Sequence, residues 1–308
     1  MDQHSCSVAI LMATYNGDNY LLQQLNSFVG QSHKNWHLYV SDDGSQDKTL
    51  EYLYAFQSKN SRCSIFNGPR LGFARNFMAL IDNSDIEADF FAFSDQDDIW
   101  LEDKLETALN FLSKLDNDKA AMYCSRTSLI DENSLPVGLS PHFVKKPCFG
   151  NSIIQNIASG NTMVFNKKAR ELLRLFAGKP LIVHDWSLYQ VVTGCGGTVF
   201  YDKKPTILYR QHGNNLIGNG MHLSNRFMNF KQTINDGQKI LWNNVNLKNL
   251  LSIKEYLTTE AINIINVFFQ MRSSSLFKRL HIYIHSGLHH QTLLGNITNF
   301  CYAIFNKL

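Results

Sequence analysis

Short apolar runs alternate with stretches of helical spacing over the first 115 residues, and each apolar run ends in polar residues. Ser7–Thr14 is a continuous apolar strand ending in Tyr15-Asn16-Gly17-Asp18, and a helix follows through Leu21, Leu22, Leu25 and Phe28. Trp36–Val40 is a second strand, ending in Ser41-Asp42-Asp43-Gly44-Ser45, with Ser45 placed to cap the helix through Leu50, Leu53 and Tyr54. Ser64-Ile65-Phe66 leads through Asn67–Gly72 into a helix with Ala74, Phe77, Met78 and Ile81, and Phe90–Phe93 is the next strand. Strict strand–helix alternation predicts an α/β fold built on a parallel, doubly wound sheet, whose ligands bind at the carboxyl ends of the strands.

The stretch Ser94-Asp95-Gln96-Asp97-Asp98-Ile99-Trp100 falls at such an end. Carboxylates this close repel unless a cation or hydrogen bonds compensate them. Their oxygens suit Mg2+ or Mn2+, ions that commonly bind one or two carboxylates together with substrate phosphates. The same residues also suit an acidic turn capping the following helix. No GxGxxG follows the first strand and no GxxxxGK[ST] occurs anywhere, so any phosphates must be neutralised mainly by metal and side chains.

Beyond Leu115 the alternation loosens. Met122–Ser125 reads as a strand, Leu135–Asn151 as a long loop holding three of the six prolines, and Thr162–Phe165 as a strand introduced by Ala158-Ser159-Gly160-Asn161. A helix over 169–176, a helix opened by His184-Asp185-Trp186, a strand over 197–201 and the run Ile207–Asn215 follow. From His222 onward the pattern is helical. The expected organisation is a catalytic domain over 1–220 and a helical C-terminal region over 221–308, serving membrane contact, packing or dimerisation.

Charge supports that division. The net charge is +3, but residues 221–308 hold nine Lys/Arg against three Asp/Glu, leaving the remainder net acidic. A basic tail on an acidic body suits work at an anionic surface. Six scattered cysteines without CxxC spacing read as reduced thiols, Met1–His4 lacks the character of a signal peptide, and no apolar stretch reaches the roughly 18 residues of a spanning helix. A cytoplasmic protein is expected, peripheral at the inner face of the cell membrane, with no nucleic-acid partner.

Four ordered stretches then resemble one family: Ala13–Gly17, Val40–Ser45, Asn67–Asn76 and Ser94–Asp98, continued by Ser159-Gly160-Asn161, His184-Asp185-Trp186 and Tyr209–Asn215. Over about residues 7–220 the chain resembles the inverting nucleotide-sugar glycosyltransferases of family 2, which implies a GT-A fold. The Asp-Gln-Asp-Asp and Arg-Gln-His-Gly-Asn-Asn forms look most like bacterial rhamnosyltransferase-type members that build O-antigen and other surface polysaccharides. The resemblance implies metal-dependent transfer of one sugar, a rhamnose in the rhamnosyltransferase-type members, from a dTDP- or UDP-sugar to a saccharide or lipid-linked saccharide.

The resemblance also implies roles. Thr14, Tyr15 and Asn16 would line the nucleotide pocket, with Tyr15 against the base. Asp43, with Asp42, would accept the pyrimidine imide N–H. Arg75 would face the sugar diphosphate. In the DxD pair Asp97 would ligate Mg2+ or Mn2+ and Asp95 would face the ribose or a metal-bound water, with Gln96 beside the donor and Asp98 orienting. His212 would add a metal ligand and Arg210 would neutralise the leaving diphosphate. Asp185 would be the catalytic base, its pKa raised by the shielding of His184 and Trp186. Gly160, Asn161, His184 and Trp186 would meet the acceptor. Many members carry Glu where His184 stands, and the Gln-x-x-Arg-Trp motif of processive synthases is absent. A nucleotidyltransferase would want a glycine-rich, lysine-containing first loop. A catalytically silent carbohydrate-binding protein would have no need of Asp97 and Asp185. In the tail, Leu276, Leu280, Tyr283 and Ile284 fall on one helical face with Lys278 and Arg279 off it, an amphipathic segment suited to an anionic membrane, to the catalytic body or to a homodimer.

Overall fold

The computed structural model describes residues 5–212 and 237–308. Met1–His4 and the Gly213-Asn214-Asn215 end of the last motif lie outside them, as does the expected boundary at 220.

Four parallel strands form the half of the main sheet that the alternation foretold: β1 (Val8–Thr14), β2 (Trp36–Asp42), β3 (Cys63–Asn67) and β4 (Phe90–Ser94), with helices α1 (Leu21–Val29), α2 (Thr49–Lys59) and α3 (Phe73–Asp82) between them. The remaining elements up to residue 212 are β5 (Ile99–Trp100), α4 (Lys104–Leu112), β6 (Ala121–Ser125), β7 (Ser128–Ile130), β8 (Pro136–Leu139), α5 (Phe149–Ile154), β9 (Val164–Asn166), α6 (Lys167–Arg174), α7 (His184–Gly194), β10 (Thr198–Asp202) and β11 (Ile207–Arg210). The order of the main sheet is β10-β6-β9-β4-β1-β2-β3, and β9 runs antiparallel to both its neighbours. A small second sheet, β5-β11-β7-β8, stands beside it.

The inner strands β1 and β4 are buried on both faces, so they read as continuous apolar runs, whereas β2 alternates and the edge strand β3 buries only Cys63. Along β1, Ala9 and Leu11 enter one core while Val8, Ile10 and Met12 enter the other. Burial of each such side chain contributes about 1.5–3 kcal/mol. Helix α1 follows the 3.6-residue rule, burying Leu21, Gln24, Leu25 and Phe28.

Four differences from the sequence expectation have local causes. The loop over 135–151 contains β8 and the start of α5; β8 is fully exposed on the edge of the small sheet, so no apolar alternation marked it. Ile99–Trp100 is too short for a periodic signal, yet it pairs antiparallel with β11. The strand expected from Thr162 starts at Val164, because Gly160–Thr162 forms a 3-10 turn. Ser45 is not the cap of α2, which starts at Thr49; its hydroxyl donates to Asp42 Oδ2 instead.

Helices Gln238–Leu251, Thr259–Ser273, Leu276–His285 and Leu293–Ile304 follow. Leu247, Leu250, Ile265, Phe268, Met271 and Tyr302 join the same core as Ala9 and Leu11. Within Leu276–His285, Tyr283 is buried and Leu280 packs against that core, so the face outlined by the sequence turns inward at these two positions. Arg279 donates to the carbonyls of Ala303, Ile304 and Ser274, which ties down the end of the last helix rather than facing solvent.

Candidate active site

The register brings Thr14 opposite Asp42, Asp42 opposite Asn67, and Met12 opposite Ser94, so the polar ends of four strands share one edge. Above that edge opens a cleft of about 1320 Å³. Among the expected site residues, Thr14, Tyr15, Asn16, Asp42, Asp43, Asp95, Gln96, Asp97, Gly160, His184, Asp185 and His212 line it. Arg75, Arg210, Asn161 and Trp186 do not.

The nucleotide side is stitched by loop-to-loop hydrogen bonds. Asn16 adopts a left-handed conformation (φ 46°); its N–H donates to Ser45 Oγ (2.9 Å) and its Oδ1 accepts from the Gln46 N–H (2.8 Å). Gln96 clamps Tyr15 from both sides, accepting its N–H at 2.9 Å and donating to its carbonyl at 3.0 Å. A Cβ on Gly17 would overlap the Gln96 amide, so only glycine admits this clamp. The Tyr15 ring itself is 57% exposed.

Asp42 is spent inside its own loop, its carboxylate accepting from the Thr14 and Ser45 hydroxyls and from the N–H groups of Gly44 and Ser45. Asp43 accepts the Arg70 N–H at 2.6 Å and the Gly72 N–H at 2.8 Å, one on each oxygen. Each oxygen keeps a second lone pair, the capacity an imide N–H would need.

Helix α3 explains the absence of Arg75. Phe73, Asn76 and Phe77 lie at i, i+3 and i+4 and line the cleft, and position 75 falls off that face. Among the described residues the Lys or Arg that reaches the cleft is Arg70, exposed in the preceding loop and lying against Gly44. Arg210 is buried, and its guanidinium donates to the carbonyls of Asp97, Asp131 and Glu132, to Ser134 Oγ and to Gln23 Oε1. Its charge is thereby spent on the scaffold. Trp186 points its indole N–H at the Ser152 carbonyl, and Asn161 hydrogen-bonds Asp98 behind the cleft wall.

The acidic loop Asp95–Asp98 crosses from β4 in the large sheet to β5 in the small one, and His212 follows β11, the partner of β5. His212 Nε2 consequently lies 2.9 Å from Asp97 Oδ2, and the imidazole stacks on Tyr20 at 5.3 Å. Asp95 is pushed up to about 8, chiefly by burial and then by the neighbouring Asp97 and Asp185 carboxylates. Carboxylates in this condition gain from a nearby cation, so the donor set fits a hard divalent ion. Among the described residues no three His, Cys, Asp or Glu side chains form a metal cage, leaving Asp97 and His212 as the two adjacent donors.

Asp185, in the first turn of α7, accepts N–H bonds from Gly160 (3.1 Å) and Trp186. Burial outweighs these bonds and lifts its pKa to about 6. A Cβ on Gly160 would come 3.3 Å from the Asp185 Cβ and 3.0 Å from His184 Nε2, so glycine lets this turn close on the helix. His184 stacks on Phe77 (centroids 3.9 Å) and meets Phe93 edge-on, and burial holds it down to about 3. It is a neutral ring, with no hydrogen-bond partner on either nitrogen.

An acidic cleft at the carboxyl edge of a sheet of this order is where α/β enzymes bind their ligands. Residues 9–172 match the family model described as Glycosyl transferase family 2, and the chain belongs to that family. It is a glycosyltransferase of GT-A fold. It is 32% identical over 223 residues to the dTDP-rhamnosyl transferase RfbG of Shigella flexneri, covering 67% of this chain and 73% of that one. An uncharacterized glycosyltransferase of Rickettsia typhi is 28% identical over 218 residues, covering 68% and 65%. Among solved structures, S. aureus TarS 1-349 in complex with UDP-GlcNAc superposes with a TM-score of 0.54 at 16% identity, covering 97% of this chain and 81% of that one. The mannosyltransferase PcManGT from Pyrobaculum calidifontis in complex with GDP-Man and Mn2+ gives 0.50 at 14% identity, covering 97% and 86%.

Proposed function

We propose that this enzyme is an inverting, divalent-cation-dependent glycosyltransferase. It moves one 6-deoxyhexose of the rhamnose type from a dTDP- or UDP-sugar to a saccharide acceptor in surface-polysaccharide synthesis. The observation that carries this reading is that one cleft holds both the Asp97–His212 pair and Asp185, whose pKa is lifted to about 6. Similarity to a dTDP-rhamnosyl transferase supports the donor, and the nucleotide sugars of the superposed structures support its class.

Asp97 and His212 would hold Mg2+ or Mn2+, with Asp95 beside them. The cation, when bound, neutralises the departing diphosphate. Thr14, Tyr15, Asn16 and Gln96 frame the nucleotide, Asp43 accepts from the base, and the exposed Arg70 takes the phosphate-facing role expected of Arg75. Asp185 accepts the proton of the attacking acceptor hydroxyl as the new bond forms on the opposite face of the sugar. His184, a neutral ring buried against Gly160 and Phe77, shapes the cleft wall beside Asp185 where the acceptor would lie. The purified protein should release nucleoside diphosphate from dTDP-rhamnose or a related donor only with Mg2+ or Mn2+. Release of pyrophosphate from a nucleoside triphosphate offered with a sugar 1-phosphate, and no nucleoside diphosphate from the sugar donors, would mark a nucleotidyltransferase, and no release from any donor of a broad panel would mark a silent binding protein.

The acceptor is expected at an anionic membrane surface. Residues 261–308 contain no Asp or Glu, against four Lys/Arg. Their helices expose Phe277 (86%), Leu293 (79%) and Ile284 (65%). Self-association through the same patch would bring like charges together, which favours the membrane over a homodimer. No helix among the described residues is long and apolar enough to cross a bilayer, so the contact would be peripheral.

A further inference from the structure

Behind the cleft runs a chain of buried polar contacts that touches both halves of the site. Lys104, fully buried with its ammonium 4.5 Å over the Trp100 ring, donates to the Asn161 carbonyl at 3.0 Å. The Asn161 amide donates to Asp98 Oδ2 at 2.6 Å, and the Arg210 N–H donates to Asp98 Oδ1 at 3.1 Å. The two ends of this chain lead directly to working groups. Asn161 follows Gly160, whose N–H holds Asp185. Arg210 grips the Asp97 carbonyl through Nε, lies over the Tyr20 ring on which His212 stacks, and precedes His212 by two residues.

We propose that Asp98 is a positioning residue that fixes the Asp185 half of the cleft in register with the Asp97–His212 half, through Asn161 on one side and Arg210 on the other. It does this from outside the cleft, with no exposed surface of its own. The inference rests on the site reading above. Its geometric basis is that the Asp98 carboxylate joins the Gly160–Asn161 turn to the end of β11 by direct hydrogen bonds, where the main-chain route between them is long. The carboxylate accepts from both neighbours at once, one on each oxygen. Misplacement of a reacting group by about 1 Å can cost 10²-fold in rate.

The test exchanges the polarity of the pair. Asp98→Leu removes the acceptor and Asn161→Asp sets two carboxylates against each other, so each breaks the bond, whereas the double variant Asp98→Asn/Asn161→Asp restores it in the opposite sense. In the double variant the amide at 98 donates to the carboxylate at 161, and its oxygen still accepts from Arg210. The carboxylate moves by one hydrogen bond and stays beside Lys104. Each single variant should lose about 10²-fold in transfer turnover. Each should also weaken Mn2+-dependent binding of dTDP, measured calorimetrically without turnover, and shift the pH midpoint of the rate. The double variant should recover all three readouts to within about threefold of wild type, the third as an unshifted midpoint. Single variants with wild-type turnover and dTDP affinity would overturn the proposal. So would a double variant that stays unfolded, or folds but performs no better than either single. Loss of stability alone, with turnover per folded molecule and the pH midpoint unchanged, would also overturn it. If wild-type dTDP binding ignores Mn2+, or Asp185→Asn retains turnover, the site reading fails and takes this proposal with it.

Discussion

His212 Nε2 lies 2.9 Å from Asp97 Oδ2, although the two residues are 115 positions apart. They meet because the antiparallel pairing of Ile99 with Leu208 ties the loop after β4 to the end of β11. His212→Ala should weaken Mn2+-dependent binding of nucleoside diphosphate by at least about 10-fold, the lower end of what losing support at a metal site costs. Binding in EDTA should be unchanged. Isothermal titration with and without the ion reads both, and equal affinities of variant and wild type in Mn2+ would remove His212 from the cation site.

The Gln96–Tyr15 clamp supplies a second expectation. Tyr15→Ala removes an exposed ring offered to the base, and stacking of this kind is worth about 1–3 kcal/mol. Affinity for dTDP or UDP should fall accordingly, with little change in melting temperature because the ring packs on nothing in the core. Gln96→Ala should weaken nucleotide binding in the same direction by freeing the Tyr15 backbone. If neither variant alters nucleotide affinity, the base does not sit at this end of the cleft.

Burial sets the pH response. A carboxyl lifted to about 6 acts as a base only when ionised, so turnover with bound donor should rise as pH increases through about 6 and level off above it. One unit below the midpoint about a tenth of the base is ionised, and turnover should be reduced in proportion. A rate profile flat between pH 5 and 7.5 would contradict Asp185 as the proton acceptor.

The exposed apolar residues of the C-terminal helices can be removed without touching the core. Phe277→Ser with Leu293→Ser, and separately Lys278→Glu, should abolish flotation with anionic vesicles at low salt while leaving donor hydrolysis intact. Arg279 is unsuitable for this purpose, since it ties the end of the last helix. Equal flotation of wild type and variants would reject this surface as the contact, and a shift in oligomeric state on substitution would point to a second copy instead.

Much of the fold was legible because its signals are local. The parallel half of the sheet follows from apolar runs spaced by amphipathic helices, and the cleft edge follows from the polar ends of those runs. Asp95, Asp97 and Asp185 stand out as carboxylates at strand or helix ends. What spacing could not convey is which way a side chain turns. Arg75 and Arg70 sit in one motif, but the helical period of α3 carries position 75 off the face that Phe73 and Phe77 present to the cleft. Arg210 has the charge suited to a diphosphate, yet five neighbouring oxygens inside the protein claim its guanidinium. Tyr20 had no sequence signal for its role, because its partners Arg210 and His212 come from β11 and the residues just beyond it.

The central claim is that Asp185 takes the acceptor proton, and single-turnover transfer by Asp185→Asn tests it most directly. The asparagine keeps the size of the carboxylate and one of its two N–H contacts, from Gly160 or from Trp186, but removes its basicity. Turnover should fall by about 10²–10⁴-fold, with donor affinity in Mn2+ nearly that of wild type. Turnover within threefold of wild type, in a folded variant that binds donor normally, would contradict the account.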